Sequence, residues 1–185
     1  MNDELRLELT LLRDLGFTHL DLRNAPPPAV QDDARSLEAK TLLGELEAIA
    51  SVCVKCELAK TRTQVVYGVG NPNADLMFIG EAPGRDEDEQ GKPFVGRAGQ
   101  LLTDIIKAMK LTRDDVYIAN VIKCRPPENR NPEPDELDAC RPYIRQQVEI
   151  IQPRVIVTLG KFALQSLLEK AYGITAVRGK WLEYQ

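Results

Sequence analysis

The sequence predicts an α/β protein of three layers, in which a small, mostly parallel sheet of about four strands is flanked by helices. Short apolar runs typical of buried parallel strands occur at residues 75–80, 116–121 and 154–160. Segments with the apolar spacing of helices lie between and after these runs. Such alternation is typical of a parallel sheet that is covered on both faces.

Residues 1–45 are predicted to form an acidic helical extension, and residues 46–185 the α/β domain. Leucines at helical spacing predict a helix over residues 3–15, and a proline-rich stretch at 24–28 predicts a stiff linker. Residues 1–50 hold ten of the 28 acidic side chains and five of the 24 basic ones, so the rest of the chain is nearly neutral. This balance neither favours nor excludes a nucleic-acid partner.

Four helices are expected in the remainder of the chain. The one that follows the linker is predicted to use Ser36 as its N-cap and to bury Leu42, Leu46 and Ile49 before it reaches the first cysteines. The later helices are expected at residues 97–110, 134–151 and 161–170.

Two of these later helices have distinctive sequence signals. The helix at 97–110 is expected to turn four apolar side chains inward, namely Leu101, Leu102, Ile105 and Ile106. The helix at 134–151 carries Pro134 in its first turn, where the fixed φ of proline suits the helix and its missing N–H is not needed.

The sequence predicts a cytoplasmic protein. No run of 18 or more apolar residues occurs, so no transmembrane helix is expected. Residues 1–10 are charged and acidic, whereas a secretory signal is basic and then apolar. In the cytoplasm, disulfides are the less frequent use of four cysteines.

Each predicted strand ends in a segment rich in glycine or polar residues, at 80–84, 120–125 and 160–161. In open α/β sheets, ligands bind just beyond the carboxyl ends of the strands. The sequence therefore predicts that these segments converge on one site. A glycine-flanked turn such as 80–84 exposes backbone N–H groups that can hold a polar ligand.

Four side-chain features accompany this predicted site. Phe94 lies on a glycine- and proline-bounded loop, where it either stacks on a ligand or packs into the core. The acidic run at 86–89 is interpreted as the solvated start of a helix. Asn120 ends a strand, where its carboxamide either satisfies local backbone or recognises one edge of a nucleobase. The following loop carries Arg125 and Arg130, which suit either phosphate binding or a plain surface.

The four cysteines form a C-x2-C pair, followed after 67 residues by a C-x15-C pair. They are Cys53, Cys56, Cys124 and Cys140. Four thiolates suit either Zn²⁺ or an iron–sulfur cluster, and spacing does not choose between them. Unconnected buried thiols are the structural alternative, but a set of four with no surplus favours one four-ligand site.

The segments GEAPGRDEDEQGKPFVGRAGQLL and YIANVIKCRPPENRNP, together with the cysteine spacing, resemble the family 4 uracil-DNA glycosylases. The resemblance runs from about Cys53 through Trp181 and implies a four-stranded parallel sheet flanked by helices, as in uracil-DNA glycosylases. It implies that uracil-containing DNA is the partner and that uracil is excised after its base is flipped into a pocket. It also implies that the four cysteines ligate a [4Fe–4S] cluster with a structural role.

The resemblance assigns roles to individual residues of the predicted site. Phe94 would stack on the flipped uracil, and Asn120 would bind its edge. The loop that contains Gly80, Ala82 and Gly84 would contact uracil through backbone groups. Glu81 would act catalytically by helping to place the attacking water.

The chain departs from the wider superfamily at two places. Ala82 stands where a well-known form of the motif has an aspartate, so Glu81 is the substitute expected for a carboxylate base. Family members carry a His-Pro motif downstream of residues 177–181, whereas the single histidine here is His19. The sequence is therefore expected to lack a C-terminal part. The alternative function is a uracil- or DNA-binding relative of weakened activity. The covalent uracil-DNA-binding relative of this family is disfavoured, because it has a glutamine in place of Ala82 and a basic, histidine-containing insert after the first motif.

Overall fold

The computed structural model describes residues 33–170 and 172–184. The helix predicted at 3–15 and the linker predicted at 24–28 lie outside the described residues. His19 also lies outside them.

A four-stranded sheet forms the centre of the described chain, in the order β1-β3-β2-β4. The strands are β1 Val69–Gly70, β2 Leu76–Gly80, β3 Tyr117–Asn120 and β4 Val155–Thr158. Strand β2 pairs in parallel with both β3 and β4, as the apolar runs predict. Strand β1 pairs antiparallel with β3. It was not predicted, because two residues are too short to show a period.

Helices cover the sheet and connect its strands. The described α-helices are α1 Asp33–Ser51, α2 Arg85–Gln90, α3 Arg97–Ala108, α4 Pro134–Ile151, α5 Lys161–Leu168 and α6 Ile174–Val177. Short 3-10 helices occur at Glu57–Lys60 and Pro127–Asn129. The predicted α/β class and the flanking helices are confirmed.

Helix α1 differs from its prediction in its start and in its buried face. It begins at Asp33, so Ser36 lies inside the helix rather than at its N-cap. Leu46 is buried as predicted, whereas Leu42 and Ile49 are exposed. The buried face is formed instead by residues at i, i+4, i+7 and i+11 spacing, namely Ala39, Leu43, Leu46 and Ala50. This face packs against α4, and the small alanines permit the close approach.

Helix α3 shows a narrower buried stripe than the sequence predicts. Leu102 and Ile106 are buried, Ile105 is half-buried, and Leu101 is 63% exposed. Four apolar residues at positions 101, 102, 105 and 106 cover too wide an arc of a helix to face one short sheet. The prediction for Leu101 was therefore wrong.

Two apolar clusters form the core. The larger one joins α1, α4 and α5 to Met77 and Ile79 of the sheet, and it contains Cys124 and Cys140. The smaller one packs Phe78 and Ile118 against α3. Because successive side chains of a strand point to opposite faces, residues 77, 78 and 79 alternate between the two clusters. No helix in the described part of the chain is long and apolar enough to span a membrane.

Candidate active site and cysteine cluster

The central strands β2 and β3 end side by side, with Gly80 paired to Asn120. The backbone pairing continues beyond the strands, because Val121 donates its N–H to the Gly80 carbonyl at 3.0 Å and Ile122 donates to the Glu81 carbonyl at 2.9 Å. The segments predicted to converge at 80–84 and 120–125 are therefore joined at the carboxyl edge of the sheet.

Gly80 supports the closest packing at this edge. A β-carbon at Gly80 would clash with Asn120 Oδ1 and with the ring of Phe94, whose Cε2 lies 2.8 Å from that position. Only glycine leaves space for both groups above the strand end. The structure thus brings together three residues that the sequence predicts for the substrate site, Gly80, Phe94 and Asn120.

Asn120 carries an unsatisfied polar atom in this position. Its side chain is 2% exposed, and its Oδ1 accepts no hydrogen bond from the described residues. A buried polar group without a partner costs about 1–3 kcal/mol. The alternative role of satisfying local backbone therefore does not account for Oδ1, and a hydrogen bond from a ligand to this atom stays a prediction.

Phe94 is held in a strained backbone conformation. Its φ is 55°, in the left-handed region that non-glycine residues seldom adopt, and its side chain is half-buried against the smaller apolar cluster. The guanidinium of Arg113 donates to the Phe94 carbonyl at 3.1 Å and to the Pro93 carbonyl at 2.8 Å. Arg113 therefore stabilises the main-chain conformation that places the ring over Gly80.

Glu87 fastens the Phe94 loop to the loop after β2. Its carboxylate accepts hydrogen bonds from the N–H groups of Val95 and Gly96, both at 2.9 Å, and from the N–H of Gly84 at 3.1 Å. Three bonds from one carboxylate are charge-assisted and fix both loops. Gly84 is thereby anchored within the protein, and its contact with a ligand stays a prediction.

The acidic run at 86–89 is less solvated than predicted. Asp88 is 3% exposed and accepts hydrogen bonds from the N–H of Thr63 at 3.0 and 3.1 Å. Glu87 is half-buried in the loop contacts described above, while Asp86 and Glu89 are exposed as expected. A glutamate three residues after a turn glycine is a helix-capping pattern, and this signal in the sequence identifies Glu87.

Glu81 follows Gly80 directly and is half-buried. Burial raises the pKa of the Glu81 carboxyl above its usual range. Ala82 is also half-buried, but it packs against the larger apolar cluster. The catalytic role of Glu81 and the ligand contact of Ala82 stay predictions.

The loop that was interpreted as cationic holds its charges in internal contacts. Arg130 forms two hydrogen bonds to the buried carboxylate of Glu136, at 2.6 and 2.9 Å. Arg125 donates from Nε to Asn129 Oδ1 at 2.8 Å. The ion pair favours a structural role for Arg130 over phosphate binding.

The four cysteines lie in or against the larger apolar cluster. Cys53 and Cys56 lie in the loop after α1, Cys124 follows β3, and Cys140 lies inside α4. All four are free thiols and belong to the same apolar surroundings. Burial raises the pKa of Cys140 to about 11, and it also raises the pKa of the Cys124 and Cys56 thiols.

Two hydrogen-bond donors face the sulfurs. Arg62 donates from Nη1 to Cys124 Sγ at 3.2 Å, and the N–H of Lys123 donates to Cys140 Sγ at 3.4 Å. Four thiols with such donors match the chemistry of thiolate ligands to a metal. In the described ranges, no group of three or more His, Cys, Asp or Glu side chains is arranged to hold a metal ion. The cofactor assignment therefore depends on the chemistry of the donors and stays a prediction.

A separate open cavity of about 710 Å³ lies between the end of α1, the 59–69 segment and the end of α2. Arg62 and Lys92 are among its lining residues, whereas Gly80, Phe94 and Asn120 are not. The candidate site at the strand ends is separate from this cavity. It is nonetheless the better candidate site, because the unsatisfied carboxamide lies there.

The fold and the residues at the carboxyl edge define an α/β protein with a candidate ligand site where β2 and β3 end. The sequence profile of the uracil DNA glycosylase superfamily matches residues 67–185, and the chain belongs to this superfamily. The matched range includes the strands and the pocket. The family predicted from the sequence is confirmed.

Several relatives are type-4 uracil-DNA glycosylases. The protein from Archaeoglobus fulgidus is 51% identical over 137 residues, which are 72% of this chain and 69% of the relative. The protein from Sulfurisphaera tokodaii is 53% identical over 69% of this chain and 60% of its own length. The protein from Saccharolobus solfataricus is 52% identical over 70% and 62%. The chain thus spans less than two thirds of the latter two relatives.

Proposed function

We propose that this protein is a uracil-DNA glycosylase, which hydrolyses the N-glycosidic bond of deoxyuridine in DNA for base-excision repair. The observation that carries the proposal is the unsatisfied Oδ1 of Asn120, buried beneath Phe94 and over Gly80. The type-4 relatives support it, since the names of those proteins state this activity. The substrate is uracil in DNA, flipped out of its stack to reach the pocket.

Asn120 and Phe94 together suit uracil. The N3–H of uracil is a donor for Oδ1 of Asn120, and the O4 of uracil is an acceptor for its amide group. Cytosine presents the reverse pattern at this edge, so it would leave the buried carboxamide mispaired. Stacking on the Phe94 ring offsets part of the cost of unstacking the base, which is about a few kcal/mol.

Hydrolysis requires stabilisation of the departing uracil anion and a positioned water. Backbone N–H groups of the loop after β2 are the donors proposed for the anion, because preorganised dipoles act strongly where water is excluded. Glu81 is proposed to orient the water and to hold the proton that it loses. Its position directly after Gly80 supports this role.

We also propose that Cys53, Cys56, Cys124 and Cys140 hold a [4Fe–4S] cluster, with zinc as the less favoured metal. The donors from Arg62 and Lys123 support this assignment, because they favour the ionised form of the buried sulfurs. When bound, the cluster supplies a structural link between the loop after α1, the end of β3 and α4. Free thiols also suit the reducing cytoplasm proposed as the location of the protein.

The proposed function is tested by the Asn120→Asp variant. The side-chain donor to O4 becomes an acceptor, so the rate of uracil release in single-turnover assays on single-stranded DNA should fall about 5- to 150-fold, as a loss of about 1–3 kcal/mol implies. Asn73→Asp is the matched control, since Asn73 also has a buried Oδ1 without a described partner but lies in the turn before β2.

Equal rates of uracil release by the parent and by Asn120→Asp would refute the proposed recognition of uracil by the Asn120 carboxamide. Binding of uracil-containing DNA by the parent without any abasic product would identify the alternative, a uracil-binding relative without the chemistry. The two outcomes are separated by two measurements on the same oligonucleotide: fluorescence anisotropy for DNA binding, and alkali-labile abasic sites for uracil excision.

A further inference from the structure

Lys123 places an amino group inside the protein, directly beside the main chain of Asn120. Its side chain is 2% exposed. The ammonium donates to the carbonyl of Asn120 at 2.7 Å, to the carbonyl of Tyr67 at 3.0 Å and to Gln147 Oε1 at 2.6 Å. Lysines are seldom fully buried unless they are paired, so this one requires an explanation.

The described partners of the Lys123 ammonium are neutral oxygens rather than a carboxylate. Burying a charge is costly unless it is fully hydrogen-bonded, and here the three acceptors match its three N–H donors. The ring of Tyr67 adds a weaker contact, with Nζ at 5.7 Å from its centroid.

The geometry that Lys123 fixes is the main chain at Asn120. The Lys123 side chain turns back by three residues to bind the Asn120 carbonyl, and the Lys123 carbonyl accepts the N–H of Val66 at 2.8 Å. Gln147 completes the arrangement by donating to the Tyr67 carbonyl at 3.1 Å. The end of β3 is thereby tied to the 66–67 segment and to α4.

We infer that Lys123 is a positioning residue for base recognition, which holds the Asn120 backbone so that its carboxamide meets uracil in one fixed orientation. This inference rests on the proposed function, because it assigns the consequence of the contact to uracil recognition. The neighbouring hydrogen bonds of Val121 and Ile122 fix the strand end on the side of β2. Lys123 fixes the same strand end on the side of the 66–67 segment.

The test is a double-mutant cycle of Lys123→Met and Asn120→Ala. Single-stranded oligonucleotides carrying either 2′-fluoro-deoxyuridine, which resists hydrolysis, or the matching 2′-fluoro-deoxycytidine are titrated, and the ratio of the two Kd values gives the uracil preference. Lys123→Met should lower this preference about tenfold in the parent and produce no further loss in the Asn120→Ala background, since coupled residues are non-additive.

A merely structural role would weaken binding of both oligonucleotides equally and leave the preference unchanged, which would overturn the inference. Tyr117→Phe is the control, because it removes the hydroxyl that Gln147 contacts at 3.2 Å and leaves all three acceptors of Lys123 in place. Its uracil preference should equal that of the parent.

A second variant covers the case in which Lys123→Met does not fold. Gln147→Leu removes one of the three acceptors and should lower the uracil preference in the same direction, again without effect in the Asn120→Ala background. An unchanged preference in this variant would overturn the inference. If Asn120→Ala lowers the uracil preference and the Lys123 variant does not, the proposed function stands and only the inference fails. If the parent protein shows no uracil preference, both the proposed function and the inference are refuted.

Discussion

The ring of Phe94 lies over Gly80, with Cε2 2.8 Å from the point where a β-carbon on that glycine would stand. Phe94 belongs to the loop before α3, whereas Gly80 ends the central strand β2. Their contact depends on two features of different elements: a missing side chain on the strand and a positive φ on the loop. Gly80 and Phe94 therefore determine together the space available at the candidate site.

Replacing Gly80 with alanine should damage this pocket. The added methyl group would collide with the Phe94 ring and with Asn120 Oδ1, so one or both groups must move. Loss of base stacking alone costs about 1–3 kcal/mol, which predicts about 5- to 150-fold weaker binding of uracil-containing single-stranded DNA. Fluorescence anisotropy with 2′-fluoro-deoxyuridine DNA measures the change.

Gly44→Ala is the matched control for this substitution. Gly44 lies inside α1, and a β-carbon there meets no atom within 4 Å. Alanine in a helix interior is favoured over glycine by about 0.5–1 kcal/mol, so the control should raise the free energy of unfolding and leave DNA binding unchanged. Unaltered DNA binding by Gly80→Ala would show that the pocket lies elsewhere.

Glu87→Gln should loosen both loops of the site at once. The amide of glutamine retains one acceptor oxygen, so at least one of the N–H groups of Gly84, Val95 and Gly96 loses its partner. The expected decrease in the free energy of unfolding is about 1–3 kcal/mol, measured by urea denaturation. Binding of uracil-containing DNA should weaken in the same protein.

Glu89→Gln provides the comparison on the same helix. Glu89 pairs with Arg85 at 2.8 Å, but their side chains are 54% and 71% exposed. Exposed ion pairs contribute about 0–1 kcal/mol, so this variant should unfold almost as the parent does. If the two variants lost equal stability, the three hydrogen bonds of Glu87 would have no special value.

The cysteine cluster is expected to bind iron. Anaerobically purified protein should be brown, with a broad absorbance band near about 400 nm from thiolate-to-iron charge transfer. Cys140→Ala should lower the iron content and the thermal midpoint, because this buried thiol would leave the cluster without a ligand from α4. Stoichiometric zinc in place of iron would reject the cluster assignment, and unchanged iron in Cys140→Ala would remove Cys140 from the ligand set.

Those parts of the fold that repeat a local pattern were predictable from the sequence. The helix predicted at 134–151 is α4 to the residue, since Pro134 marks its first turn. The three parallel strands were found from their apolar runs. Strand β1 was missed because its two residues form a strand only by pairing with β3. The exposed Leu42 shows the same limit, because packing against α4 determines which face of α1 is buried.

The residues of the candidate site also divide into those that were predictable from the sequence and those that were not. Gly80, Phe94 and Asn120 follow turn and strand-end signals, so their positions were predictable, and the structure brings them together. Arg113 was missed because its contact with the Phe94 carbonyl joins residues 19 positions apart. Lys123 was missed because lysine side chains are seldom fully buried, and only the fold shows that this one is.

Glu81 should give the enzyme an acid limb in its pH–rate profile. Burial raises the pKa of this carboxyl, and a group that accepts a proton from water works in its ionised form. The single-turnover rate of uracil release is therefore expected to rise with pH over about pH 4 to 8, with a midpoint above the usual range of an exposed glutamate. Glu81→Gln should be slower at the upper end and should lose this dependence, with cluster content checked in both proteins.

As pH rises, the contribution of Glu81 to the free energy of unfolding should change in the opposite direction to the rate of uracil release. Because the pKa of Glu81 is raised in the folded state, its contribution to stability is fully present below the unfolded pKa and is lost as pH rises through the folded pKa. The free energy of unfolding of the parent, relative to Glu81→Gln, should therefore decrease over the same range in which its rate increases. A rate profile that is identical in the parent and in Glu81→Gln would exclude Glu81 as the base, whereas a stability difference that does not vary with pH would exclude burial as the cause of the shift.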